Sequence, residues 1–204
     1  AEKEDILPYV RNTEVAILFQ GQFMPRVKQI HQDIKLYFVP CFLYTYQRPT
    51  PVIDSTEACF VAEACLDGTF LKFNSNNGYV NMEDSIARIS EVLQAFSHFS
   101  FIQSHGRYMV VDLQGVIDGK CMLLTDPQVL TKDRDQGDRT DKGSELGFGP
   151  GDLGFEGIKR FFCAHRCGPT CIKLRLRQEQ EEQIQKLERD AERPCIICMS
   201  EPRR

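Results

Sequence analysis

His165-Arg166-Cys167-Gly168-Pro169-Thr170-Cys171 places one imidazole and two thiols within seven residues, just behind the apolar run Phe161, Phe162 and Ala164. Zinc takes four nitrogen or sulfur donors in a tetrahedron at about 2.0 to 2.3 Å, and His-x-Cys-x3-Cys at a helix end can supply three of them. Taken singly, Cys163, Cys167 and Cys171 would read as small buried hydrophobes and His165 as a core histidine; taken together they read as a metal site. Three donors do not close a structural site. His31, His98, His105, Cys121 and Cys163 are all candidates for the fourth, and spacing does not choose among them. Unless the neighbouring Cys163 closes the set, a distant segment is tied to this one, and the stretch then organises the fold around it.

Composition sets the class. With 204 residues and no internal repeat, the chain has the length of one domain, or of one domain with an added piece. An apolar fraction of 42% with 10% aromatic residues supports a packed core. No apolar run is long enough to span a bilayer and no signal peptide is evident, so a cytoplasmic protein without a membrane partner is expected. In that setting nine cysteines read as reduced thiols and metal ligands. A net charge of -4 gives no basic footprint, which argues against a nucleic-acid partner.

Outward from the cluster, hydrophobic spacing predicts a helix over 14–23, through Val15, Ala16, Leu18, Phe19 and Phe23. Residues 35–46 and 58–74 read as strands broken by Pro40, Pro49, Pro51, Asp67-Gly68 and Asn77-Gly78. Ile86, Ile89, Val92, Leu93 and Phe96 predict an amphipathic helix over 83–101 that ends by Gly106. Two strands follow, 108–116 and 120–124, then a Gly/Asp-rich loop over 132–151. Helices are expected over 155–165 and 169–193, the second half of the latter being a solvated polar surface. The expected class is α+β, with strands first and helices later.

Two further constellations carry chemistry. In Val110-Val111-Asp112-Leu113-Gln114-Gly115-Val116 and the returning Leu124-Thr125-Asp126-Pro127, two carboxylates and a carbonyl oxygen can converge on one hard cation. Magnesium takes such oxygens and keeps sites for phosphates, which suits phosphoryl transfer from a nucleotide. Asp118-Gly119 and Asp126-Pro127 are also ordinary turn dipeptides. Gly149-Pro150-Gly151-Asp152-Leu153-Gly154 formally matches G-x-G-x-x-G, yet it follows a loop instead of a strand, which argues against a Rossmann site.

The order of these pieces is what identifies a relative. Glu63, Lys72-Phe73-Asn74-Ser75-Asn76-Asn77-Gly78-Tyr79-Val80, Ala95-Phe96-Ser97-His98-Phe99, Val111 to Val116, Thr125-Asp126-Pro127-Gln128, the glycine run and the His165/Cys167/Cys171 cluster together resemble the alpha-kinase family, over roughly residues 10 to 176. The resemblance implies an atypical two-lobed, kinase-like α+β fold with a zinc-stabilised helical carboxyl-terminal lobe, and an ATP-dependent serine/threonine protein kinase. It implies that His98 completes the zinc site with His165, Cys167 and Cys171. It implies Asp112 as the catalytic aspartate, Gln114 and Asp126 as magnesium ligands, Thr125 beside the nucleotide, Glu63 as the adenine-binding hinge glutamate with Cys65 beside it, and Gly149, Gly151 and Gly154 as a loop serving the protein substrate. ATP, Mg2+ and structural Zn2+ are the implied cofactors.

Two departures bear on activity. The family's early-strand lysine that grips the ATP phosphates has no evident counterpart, because Lys3 lies too close to the amino end; the expectation is a kinase domain over 1–176 that lacks most early strands of the amino-terminal lobe and is inactive or nearly so by itself. The segment between Asp112 and Asp126 is longer than the family's, around an enlarged hairpin at 117–121. Beyond a polar helical linker over 177–193, Cys195-Ile196-Ile197-Cys198 resembles the first ligand pair of a RING finger. On that reading, 194–204 begins a truncated zinc finger whose partner is a ubiquitin-conjugating enzyme, and the other function to weigh is a kinase-like scaffold that has lost catalysis.

Overall fold

The computed structural model describes residues 3–46, 59–132 and 147–181. Helix α1 (Lys3–Val27) opens the fold. It extends well beyond the predicted 14–23, because polar residues that break the hydrophobic pattern find tertiary partners: Asn12 and Thr13 are both buried. Its inner stripe is Ala16, Phe19, Phe23 and Val27, a helical i, i+3, i+4 series packed into the main core.

Strands β1 (Lys35–Phe38), β2 (Cys41–Thr45), β3 (Cys59–Glu63) and β4 (Phe70–Lys72) follow. A 3-10 turn at Asp84–Ile86 leads into helix α2 (Ala87–Gln103). Then come β5 (Tyr108–Val111), β6 (Gln114–Asp118), β7 (Cys121–Thr125) and β8 (Gln128–Thr131), and finally α3 (Gly154–Ala164) and α4 (Pro169–Lys173). A four-stranded sheet has the order β1-β7-β6-β4, with β1 parallel to β7 and the other pairs antiparallel; β2-β3 and β5-β8 form two-stranded antiparallel ladders. Helices and strands interleave, so the expected order of strands first and helices later is corrected: α1 leads, and four strands follow α2.

Helix α2 holds the middle of the molecule. Val92, Leu93, Phe96 and Phe99 enter the core, where Phe23 meets Phe96 at 5.3 Å and Phe99 at 5.2 Å between ring centroids. Ser90, Gln94, Ser97 and His98 are buried as well; Ser90, Gln94 and Ser97 have hydrogen-bond partners, whereas His98 Nε2 has none among the described residues. The α2 surface is therefore spent twice, on core and on site.

Two predicted elements are corrected. The single strand over 108–116 breaks at Asp112-Leu113 into β5 and β6, which pair with different strands. The helix expected over 169–193 breaks after Lys173, where Leu174 caps α4 and Arg175 takes a φ of 58°. Residues beyond 181, including the linker's end and the Cys195/Cys198 pair, lie outside the described residues, as do residues 133–146 of the predicted loop.

Candidate active site

The ladder register builds the site. Val111 pairs with Gln128 on β5-β8 and Gln114 pairs with Thr125 on β6-β7, so one continuous register is interrupted by Asp112-Leu113 on one side and Asp126-Pro127 on the other. At this interruption both aspartates adopt left-handed backbone, with φ of 56° at Asp112 and 46° at Asp126. Such conformations cost about 1 kcal/mol each for a residue with a Cβ, and Asp tolerates them better than most. The break thus places two carboxylates at the same level on adjoining chains.

Directly opposed residues share a face of a sheet. Lys72 pairs with Gln114, and Gln114 with Thr125, so these three form a row across β4, β6 and β7. At one end the Lys72 ammonium lies 2.8 Å from a carboxylate oxygen of Asp112. At the other the Thr125 hydroxyl donates to Glu63 at 2.6 Å. Asn74 anchors the turn beneath: its carbonyl oxygen accepts from the Leu113 backbone N–H at 3.0 Å, while its amide donates to Gln94 at 3.1 Å and Ser97 at 3.0 Å. Spacing along the chain assigns no role to Lys72 or Asn74; only the strand register reveals that they hold the Asp112 turn.

An open cleft of about 450 Å³ adjoins this row, lined by Ile6, Tyr9 and Thr13 of α1, by Cys41, Cys59, Val61 and Glu63 of β2-β3, and by Asp126. Glu63 and Asp126 therefore meet in one cleft. Asp112, Gln114 and Thr125 stand along the row beside it, and Cys65, two residues beyond Glu63, is exposed. Burial pushes the Cys41 thiol up from its ordinary value, so it faces the cleft as a neutral group.

The glycine run packs against α1. Gly149, at φ 80°, brings its Cα against Pro8; a Cβ there would lie 3.0 Å from the proline ring. A Cβ on Gly151 would collide with the Gln128 side-chain amide, and Gly154, at φ 61°, starts α3. Asn76 donates to the Gly151 carbonyl at 2.9 Å, which ties the asparagine-rich turn to this run. The buried Asp152 accepts from the Thr131 hydroxyl at 2.7 Å and from the Thr131 and Gly154 backbone amides at 2.9 and 2.8 Å.

The four cysteine and histidine donors converge. His98 comes from the middle of α2, His165 caps α3, Cys167 follows in the turn and Cys171 lies in α4. Their ligand atoms all lie within 4.8 Å of one another. His98 Nδ1 and His165 Nε2 are 3.3 Å apart, Cys171 and Cys167 Sγ lie 3.5 and 3.6 Å from His165 Nε2, and Cys167 Sγ lies 3.8 Å from His98 Nδ1. A tetrahedron with metal bonds of about 2.0 Å to nitrogen and 2.3 Å to sulfur has edges of about 3.3 Å between nitrogens and about 3.6 Å from nitrogen to sulfur. The donors fit that shell. His31 instead bonds Thr170 at 2.8 Å, and His105, Cys121 and Cys163 stand outside the group.

Burial, with His165 next to it, lowers the His98 pKa to about 3; burial, with Arg166, lowers that of His165 to about 4. Burial and then the adjacent Cys167 push the Cys171 thiol up. Both rings are thus held as neutral imidazoles, the form that ligates a metal, and a cation between the sulfurs would favour their thiolates. Phe161 stacks on His165 at 5.0 Å and Phe162 meets His98 edge-on at 5.2 Å, so apolar rings close the outside.

This mixed α+β domain has a kinase-like fold. It matches the inactive alpha-kinase domain of myosin-II heavy chain kinase A complexed with ATP, with a TM-score of 0.63 and 31% identity, over 85% of this chain and 59% of that one. A structure of the same domain described by its phosphorylated aspartate matches with a TM-score of 0.65 and 31% identity, over 85% and 59%. The alpha-kinase family pattern covers residues 3–171, and the chain belongs to the alpha-kinase family. It is 34% identical over 174 residues to alpha-protein kinase 1 of Dictyostelium discoideum, covering 85% of this chain and 11% of that protein. It is also 34% identical over 145 residues to eukaryotic elongation factor 2 kinase of Mus musculus, covering 65% and 17%. The chain therefore spans a small part of those curated relatives and 59% of the matched structure. No described helix is long and apolar enough to cross a membrane.

Proposed function

We propose that this protein is an ATP-dependent kinase that transfers the γ-phosphoryl group of ATP to a serine or threonine hydroxyl of a protein. The observation carrying the reading is the interrupted ladder, which sets Asp112 and Asp126 on left-handed backbone beside a cleft that also holds Glu63. A relative of the same fold binds ATP. Phosphoryl transfer depends on positioning and on neutralising charge, and the residues divide along those lines.

Glu63, with Cys65 beside it, takes the adenine end, and Thr125, bonded to Glu63, lies next to the nucleotide. Asp112 orients the acceptor hydroxyl and receives its proton, while Lys72 holds that carboxylate in place. Gln114 and Asp126 offer oxygens for magnesium, whose role when bound is to neutralise the phosphates. Gly149, Gly151 and Gly154 form the wall along which a protein substrate lies. His98, His165, Cys167 and Cys171 hold a structural zinc that joins α2, α3 and α4 and takes no part in the transfer.

Asp112→Asn in the full-length protein is the direct test. Asn tolerates the left-handed backbone but cannot accept the proton, so transfer from ATP to a protein substrate is expected to fall about 10²–10⁴-fold with an unchanged melting temperature. Full activity in that variant removes Asp112 from the chemistry.

A further inference from the structure

The first turns of α1 face two sites at once. Residues spaced i, i+3, i+7 share a stripe of a helix, and Ile6, Tyr9 and Thr13 line the cleft. On the adjoining stripe, Pro8, Arg11 and Asn12 meet the start of the glycine run. Pro8 packs against Gly149, the Arg11 guanidinium donates to the Gly147 carbonyl at 3.3 Å, and Asn12 makes the central contacts.

Asn12 is only 4% exposed. Its amide nitrogen donates to the Phe148 carbonyl at 3.1 Å, and its carbonyl oxygen accepts from the Val129 backbone N–H at 2.8 Å and the Gln128 side-chain amide at 3.4 Å. Gln128 in turn donates to the same Phe148 carbonyl at 3.0 Å. A buried asparagine in a helix is unfavourable unless its amide is satisfied, and here one side chain satisfies two chain segments. One of them is β8, which begins two residues after Asp126. The other leads directly into Gly149, Gly151 and Gly154.

We infer that Asn12 is a positioning residue that fixes the glycine run relative to the Asp126 turn, and thereby sets where a peptide substrate lies against the reacting groups. Helix α1 is then a shared wall, with nucleotide on one stripe and the substrate loop on the next. The inference rests on the kinase reading above and concerns only how peptide is placed.

The test compares Asn12→Asp with the wild-type full-length protein, using a hydroxyl-bearing peptide substrate and ATP. Asp keeps the oxygen that accepts from Val129 but sets a second acceptor against the Phe148 carbonyl, so the loop loses its bond to residue 12, keeping only those from Gln128 and Arg11, while β8 keeps its own. The peptide KM is expected to rise about tenfold, the scale of one lost buried hydrogen bond, while the ATP KM moves less than about twofold. Backbone hydrogen exchange should quicken at residues 148–154 and stay unchanged in β6 and β7. Glu14→Ala, an exposed change on the same helix, should leave every reading at its wild-type value.

An unchanged peptide KM in an active Asn12→Asp protein, or unchanged exchange at 148–154, overturns the role of Asn12 alone. So does a parallel rise of both KM values with a lowered melting temperature, because that is general loosening. A wild-type protein that transfers no phosphate to any peptide overturns the kinase reading, and this inference with it.

Discussion

Asp112 illustrates how much one residue depends on its neighbours. Its φ of 56°, the 2.8 Å contact to Lys72 and the Asn74 bond to the next residue's amide come from three different segments, and together they hold one carboxylate still. The Lys72 side chain is 42% exposed, so the ion pair itself contributes no more than about 1 kcal/mol to stability. Lys72→Met is therefore expected to leave the melting temperature within a few degrees of wild type while lowering phosphoryl transfer at least about tenfold. A steady rate with a large fall in melting temperature would make Lys72 structural only. At the cleft, Glu63→Ala removes the partner of the Thr125 hydroxyl as well as the proposed adenine contact. ATP affinity measured by calorimetry should weaken about tenfold, the scale of one buried hydrogen bond; equal affinity in both proteins would remove Glu63 from the hinge.

At the scale of elements, the β6-β7 hairpin is the support on which Gln114 and Thr125 stand. The turn at Asp118-Gly119 was legible in the sequence, and Gly119 takes the left-handed φ of 60° that a tight hairpin demands. Gly115 was not legible as special. At φ 152° it packs so closely that a Cβ would collide with the Leu123 carbonyl oxygen and lie 2.9 Å from the Leu124 Cα. Gly115→Ala should therefore cost about 2–4 kcal/mol through backbone strain and displacement of the partner strand, read as a lower midpoint in chemical denaturation; a shift under 1 kcal/mol, about the noise of ordinary surface changes, would show that β6 and β7 separate easily. The strand break at Asp112 was equally hidden. Val110 to Val116 reads as one apolar run, and only the separate pairing of β5 with β8 and β6 with β7 shows where it turns.

Across the whole molecule the Cys/His cluster is the joint between α2, α3 and α4. If it holds zinc, metal analysis will find one ion per folded chain, and strong chelation or His165→Ala will destabilise the domain by several kcal/mol, since metal binding energy at such a site is folding energy. Folded protein free of metal would sink that reading. Acid should act in the same direction. His98 and His165 have folded pKa values of about 3 and about 4, below the ordinary 6.5. The unfolded chain therefore binds more protons than the folded one between those limits. Their contribution is fully present above about pH 6.5 and is lost progressively as pH falls toward 4 and then 3. Thermal melts between pH 8 and 4 should show the midpoint falling on the acid side; a midpoint that rises on acidification would contradict the buried neutral rings.

Local chemistry was enough to read the α+β class, helix α2 from its apolar spacing, the grouping of His165, Cys167 and Cys171 and the order of motifs that marks the family. These depend on spacing along the chain, which a sequence states directly. The fourth donor could not be chosen by spacing, because His98 lies 67 residues from His165 and only helix packing brings their ring nitrogens to 3.3 Å. The same limit hid Lys72 opposite Asp112, Asn12 between β8 and the glycine run, and the break that divides one apparent strand between two ladders. Each of these is a pairing across distance, settled by strand register and by burial of polar groups that must find partners. Sequence determined which chemical groups this protein carries and in what order; tertiary structure alone decided which of them meet.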